Sequence, residues 1–167
     1  TGPPWTRSFW VSALQRGAAK RIALVSDVAI TNIERHAAVL GRWDPSKAGR
    51  IPVRPVPSNV GEVEIPIPLR RRTPRLVVFG SRASRETIVR ECAAPIQRLC
   101  RALRLEEIVE IGVPGNRKDD RLFGLKARCM GVLPTNLISE ILTDSVAGVV
   151  HYPFPFLGKS GVLAAYC

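Results

Sequence analysis

Apolar and polar positions follow two different rhythms along this chain, and the rhythm changes near residue 75. Arg75-Leu-Val-Val-Phe79 is a short, almost wholly apolar run, which predicts a strand buried on both faces of a parallel sheet. Gly80-Ser81-Arg82 breaks it. Ile88, Val89, Cys92, Ile96, Leu99, Cys100 and Leu103 then recur at three- and four-residue steps, predicting a helix over 84–103. Pro95 should kink that helix, because it lacks a backbone donor and its ring crowds the preceding turn. Glu107–Ile111 reads as a second strand, 112–120 as a polar loop and Ala127–Leu133 as a third strand. Thr135 or Asn136 caps a helix through Leu142, Val146–Val150 is a fourth strand, and Gly158-Lys159-Ser160-Gly161 opens a last helix. Alternation of this kind predicts right-handed strand–helix–strand units and an α/β, doubly wound parallel sheet with flanking helices.

The first part of the chain is less regular. Phe9, Trp10, Ala13, Leu14, Ala18, Ile22 and Val25 predict an amphipathic helix over 5–25. Val28–Thr31 follows as a short buried strand, and Asn32 is a suitable N-cap for a helix over 33–42 that Asp44-Pro45 ends. The prolines between Ile51 and Val60 forbid a central antiparallel strand but allow an extended edge or a short parallel strand. Residues 61–74 are rich in Pro, Glu and Arg and read as a linker. Trp5, Trp10 and Trp43 lie on or beside helices and read as packing residues rather than base-stacking platforms. The domain expectation is therefore a first region over 1–60, a linker over 61–74 and a second region over 75–167.

Composition narrows the function classes. With 46% apolar residues among 167, the chain can build a core, so wholesale disorder is excluded. No apolar run reaches the ~18 residues of a membrane span. The N-terminus shows neither an initiator Met nor the basic-then-apolar order of a signal peptide, and the chain stops inside its last helix, so the expectation is a piece of a larger protein. Four cysteines, none in a C-x-x-C pair, and two histidines give no zinc spacing, so no metal and no resident cofactor are expected. Apolar neighbours make Cys100 and Cys129 read as buried thiols of a reducing compartment, hence a cytoplasmic location. The net charge of +11 raises polyanion binding, but the basic residues are dispersed and the tightest cluster, Arg70-Arg71-Arg72, falls in the linker. Nucleic acid is accordingly the less favoured partner.

Two turns carry anion-binding equipment. In open α/β sheets ligands sit beyond the carboxyl ends of the strands. After the first strand, Gly80 permits close approach of a ligand, and Arg82 or Arg85 can make a bidentate phosphate contact. After the fourth, Gly158-Lys159-Ser160-Gly161 offers a cation, a hydroxyl and backbone donors. Its Gly-Lys-Ser is not a P-loop, because position 153, where that motif needs its first glycine, is Pro. His151 and Tyr152 end the fourth strand and can face the same cleft. Glu34 and His36 near a strand end are weaker candidates, Asp119-Asp120 reads as a solvated pair, and no serine sits in a nucleophile elbow.

The order of elements resembles the passage from the N-terminal to the C-terminal Rossmann-like domain of GT-B glycosyltransferases of the group that includes family 4. Asn59-Val-Gly-Glu62 is similar to the turn preceding their interdomain linker. Val78-Phe-Gly80 with Arg82 or Arg85 resembles their Gly-Arg turn at the donor diphosphate, and Gly131-Val-Leu-Pro134 through Cys167 resembles their donor-binding segment. The resemblance implies an incomplete GT-B-like fold: the tail of an acceptor domain over 1–60 and part of a donor-binding domain over 75–167. It implies sugar transfer from a nucleotide-sugar donor to an unidentified acceptor, with Gly80, Arg82, Arg85, Lys159, Ser160 and Gly161 around the diphosphate and little activity in this piece alone. The sheet edge and apolar surface of a part-domain would be open to self-association. Where the family carries two glutamates around the last helix, this chain has Phe156 and Ala164.

Overall fold

A computed structural model describes residues 7–61, 63–115 and 120–167. Trp5, Glu62 and Asp119, and the side chains of Phe9 and Trp10, lie outside the described residues. The chain divides into two compact units, residues 1–55 and 56–167.

The first unit holds helix α1 (Arg7–Val25) and helix α2 (Glu34–Trp43), followed by a 3-10 turn over Pro45–Lys47. Leu14, Ile22 and Val25 are exposed and only Ala23 of that stretch is buried, so the expected amphipathic stripe of α1 is not the face that packs. Residues 28–31 do not form a buried strand either. Val28 and Ile30 are exposed, and the segment makes one parallel bridge, Thr31 to Val53, with hydrogen bonds Thr31 N to Pro52 O (3.0 Å) and Arg54 N to Thr31 O (2.7 Å). The proline-interrupted run thus supplies a single parallel rung, as its composition allows. Asn32 does not cap α2. Ile33 occupies the N-cap without a side-chain bond, and its burial, at 5% exposure, fixes the entry instead. Lys47 ties the unit together by donating to Ala23 O and pairing with Asp44.

The second unit is an α/β layer structure. Among the described residues its five strands are β1 (Thr73–Phe79), β2 (Glu107–Ile111), β3 (Arg121–Leu122), β4 (Leu125–Cys129) and β5 (Ser145–Val149), in the order β3-β4-β2-β1-β5. All pairs are parallel except the short β3–β4 hairpin. Leu76, Val77 and Val78 are fully buried, because β1 lies inside the sheet with both faces covered. Strand alternation sends Leu76, Val78 and Ile108 to one face, against Ile88 of helix α3 (Arg82–Glu91) and Ile96 and Cys100 of helix α4 (Ala93–Ala102). Val77, Val109 and Ile111 go to the other face, against Ile138 and Leu142 of helix α5 (Thr135–Thr143) and Ala165 and Tyr166 of helix α6 (Gly161–Tyr166).

Several boundaries differ from the sequence pattern for identifiable reasons. The single kinked helix expected over 84–103 is two helices that part at Cys92, which leaves helical geometry at φ −114°, ψ 14°. Pro95 then falls at the third residue of α4, where its missing donor costs nothing. The third strand ends at Cys129 rather than Leu133, and Pro134, not Thr135 or Asn136, occupies the N-cap of α5. Val60, at the end of the segment expected to be separate from the second region, is buried in the core with Val77 and Ile138. Ser139 Oγ donates to Gly61 O at 3.3 Å. Cys100 is buried, but Cys129 is exposed. No helix among the described residues connects β2 to β4.

Among the described residues, two that are not glycine have left-handed backbones. Arg104 (φ 51°) follows the last turn of α4, where Leu105 N reaches back to Cys100 O at 2.9 Å. Phe123 (φ 50°) and Gly124 (φ 88°) form the two-residue turn of the β3–β4 hairpin. Each non-glycine residue there carries a conformational cost of about 1 kcal/mol.

Candidate functional site

The strand order defines where a ligand crevice belongs. Taking only the parallel strands in chain order, β1, β2, β4 and β5 lie as 3-2-1-4, so the chain moves outward on one side of β1 and returns on the other. Such a reversal opens a crevice beyond the carboxyl ends of the two strands on either side of it, here β1 and β5. Both sequence-predicted turns meet there. Gly80 follows β1, and a Cβ built on it would come within 3.3 Å of Val162 in the first turn of α6.

Of the two arginines that follow the β1 turn, Arg85 serves the fold. Arg85 is 4% exposed. Its Nη1 donates to Gly80 O (2.6 Å) and Ile111 O (3.2 Å), and its Nη2 donates to Val113 O. The guanidinium thereby clamps the carboxyl ends of β1 and β2, and only Nε lacks a partner. Such a clamp requires Gly112. Its φ is +129°, and a Cβ there would lie 2.2 Å from Arg85 Nη1 and 2.5 Å from Gly80 O. Arg82, by contrast, is half exposed and pairs with Glu86 at 2.7 Å, a contact that a ligand can displace at little cost. Ser81 caps α3 by accepting from Ser84 N. Arg82 and Arg85 also line a pocket of about 310 Å³ beside Glu110 and Cys129.

The second turn is arranged the other way. Ser160 is buried, and its hydroxyl caps α6 by accepting from Leu163 N at 3.1 Å. Lys159 ends a 3-10 segment (Phe154–Lys159) and is exposed, with Nζ 6.0 Å from the centre of the Phe156 ring. Gly161 leaves open space up to Asn59 Oδ1, 3.7 Å from where a Cβ would stand. His151 and Tyr152 are exposed, and His151 Nε2 lies 3.9 Å from Glu91. In the first unit, His36 lies in the opening turn of α2 and Glu34 begins that helix. No group of three or more His, Cys, Asp or Glu among the described residues is placed to hold a metal, and no described helix is long and apolar enough to cross a membrane.

Tyr166 was not indicated by the sequence. Its ring lies over Gly148, where a Cβ would come within 2.2 Å of the ring carbon Cε1. Its hydroxyl accepts from Phe79 N (3.1 Å) and can donate to Val77 O (3.1 Å) or Val149 O (3.3 Å), closing the ladder where β1 and β5 end. Burial pushes its pKa up to about 12, while the bond accepted from Phe79 N acts in the opposite direction. Gly112 had a readable signal, a glycine directly after a buried strand like Gly80. For Tyr166 and Gly148 the sequence offers none, because their contact joins residues that only the folded sheet brings together.

Comparisons with protein-family models, curated proteins and solved structures found no match to this chain.

Proposed function

We propose that the second unit binds the diphosphate of a nucleotide-sugar donor at the crevice between β1 and β5, as part of a GT-B-like glycosyltransferase. The observation that carries this reading is the strand order, whose reversal point is where Gly80 and the Lys159–Gly161 turn come together. An exposed ammonium at such a crevice suits a departing diphosphate, because transfer of the sugar leaves negative charge on the phosphate oxygen and a fixed cation lowers the energy of that state. In this reading Lys159 is the diphosphate contact and Arg82 a second cation released from Glu86. Arg85 acts as a positioning residue that fixes the Gly80 carbonyl, and Ser160 holds the turn. Sugar and ribose recognition do not use the glutamates of the resembled family, since Phe156 and Ala164 stand in their places.

Calorimetric titration with uridine, guanosine and adenosine diphosphates tests the reading. One of them should saturate a single site, with affinity falling about tenfold in Lys159→Ala and unchanged when Arg70, Arg71 and Arg72 are replaced together. Salt-sensitive binding of unrelated DNA or RNA that is lost in the triple-Arg variant, with no nucleoside diphosphate bound, would instead establish a polyanion-binding module.

A further inference from the structure

The opposite end of the sheet carries a second pocket that the proposed donor site does not use. It has a volume of about 320 Å³ and lies between the end of α4 and the β3–β4 turn. Gln97, Arg101, Arg104, Phe123 and Gly124 line it over an apolar floor that includes Leu105. Leu105 precedes β2 and Leu125 begins β4, so this is the amino-terminal end of the parallel strands, away from Gly80 and Lys159.

Three observations converge on it. Its lining contains two arginines and no carboxylate, and neither arginine makes a side-chain hydrogen bond or ion pair among the described residues. The two non-glycine residues with left-handed backbones among the described residues, Arg104 and Phe123, both line this one pocket. Each stands at a position where Gly or Asn is the inexpensive choice, after a helix end and at the first place of a two-residue hairpin turn. Attraction to the helix dipole accounts for Arg101 in the last turn of α4, but it does not require a cation at the left-handed position that follows. Phe123 is half-buried against the core, with the pocket on its remaining side. Two full positive charges outweigh the partial negative charge of the helix end, whose last carbonyls are already bonded by Leu103 N, Arg104 N and Leu105 N.

We propose that this pocket binds a small organic anion, with its phosphate or carboxylate between Arg101 and Arg104 and a flat apolar group against Phe123. The volume is at the low end for ligand pockets and suits a single ring with one anionic group. The site is independent of the donor crevice, and its occupancy does not depend on that reading.

Phenyl phosphate is the minimal probe, with inorganic phosphate and phenol as its two halves. In amide-resolved NMR titrations of the whole chain, phenyl phosphate should shift Leu105 and Gly124 saturably, and each half should bind at least about tenfold more weakly. Arg104→Gly should raise the Tm by about 2–4 °C, because it relieves the left-handed backbone, while weakening the probe about tenfold. Arg101→Gln should weaken it similarly. Phe123→Leu, which keeps the apolar burial, should abolish the preference for phenyl phosphate over inorganic phosphate. Lys159→Ala should leave all of this unchanged. Undiminished binding by both Arg104→Gly and Arg101→Gln, or no saturable shift at Leu105 and Gly124 in the parent chain, would overturn the proposal.

Discussion

The connections after β1 and β5 look alike in sequence, each with a glycine, a serine and a cation around the start of a helix, yet the fold uses them in opposite ways. After β1 the cation Arg85 turns inward and bonds three backbone carbonyls, while the serine caps its helix from the surface. After β5 the serine is buried and the cation Lys159 stays exposed. The difference follows from side-chain chemistry. A guanidinium has five donors in a fixed fork and can satisfy several carbonyls while buried, whereas an ammonium is strongly hydrated and loses more on leaving water. A strand–Gly–cation pattern therefore marks a carboxyl-end turn without saying whether the cation is meant for backbone or ligand.

The largest effect should come from Gly112→Ala. It would place a methyl group against Arg85 and Gly80 O on a backbone that L residues rarely adopt, so we expect a loss of about 4 kcal/mol in urea unfolding. Arg85→Met should cost about 2–4 kcal/mol, because it keeps the aliphatic bulk but leaves three carbonyls short of a donor. If Arg85→Met unfolds like the parent while nucleoside diphosphate binding is lost, the clamp and the ligand roles assigned to the two turns are reversed.

Tyr166→Phe comes next, at about 1–2 kcal/mol for the lost strand-end bonds. This tyrosine also sets a pH dependence. Its folded pKa, pushed up to about 12, lies above the unfolded value near 10, so its contribution is complete below about pH 10 and is lost as pH rises towards 12. The loss amounts to about 2–3 kcal/mol and should be absent in Tyr166→Phe. Lys159→Ala should change stability by no more than about 0.5 kcal/mol, the smallest effect of the series, because the side chain is exposed.

How much of this was legible in the sequence differs between the two units. In the second, Leu76-Val-Val78 and Ile108-Val109 read as doubly buried strands because an uninterrupted apolar run has few other folded solutions, and the α/β sheet follows. Helix starts and strand ends were less legible. The break at Cys92 and the end of β4 at Cys129 have no counterpart in the apolar spacing, which runs on through both. In the first unit, apolar periodicity misidentified the packed face: Leu14, Ile22 and Val25 fit a helical stripe but are exposed, and Ala23 between them is buried. Within the candidate site, Gly80, Arg82, Lys159 and Gly161 were readable as residue types at strand ends. The inward course of Arg85 and the contact of Tyr166 with Gly148 were not, since both depend on atoms far apart in sequence.

Assigned amide spectra of the whole chain, recorded with increasing nucleoside diphosphate, test the central claim most directly. Saturable shifts centred on Gly80 and Gly161 are expected, requiring about tenfold more ligand in Lys159→Ala, while Arg85 and Gly112 keep their native chemical shifts. Shifts confined to the Arg70–Arg72 segment, or none at Gly80 and Gly161 at saturating ligand, would contradict it.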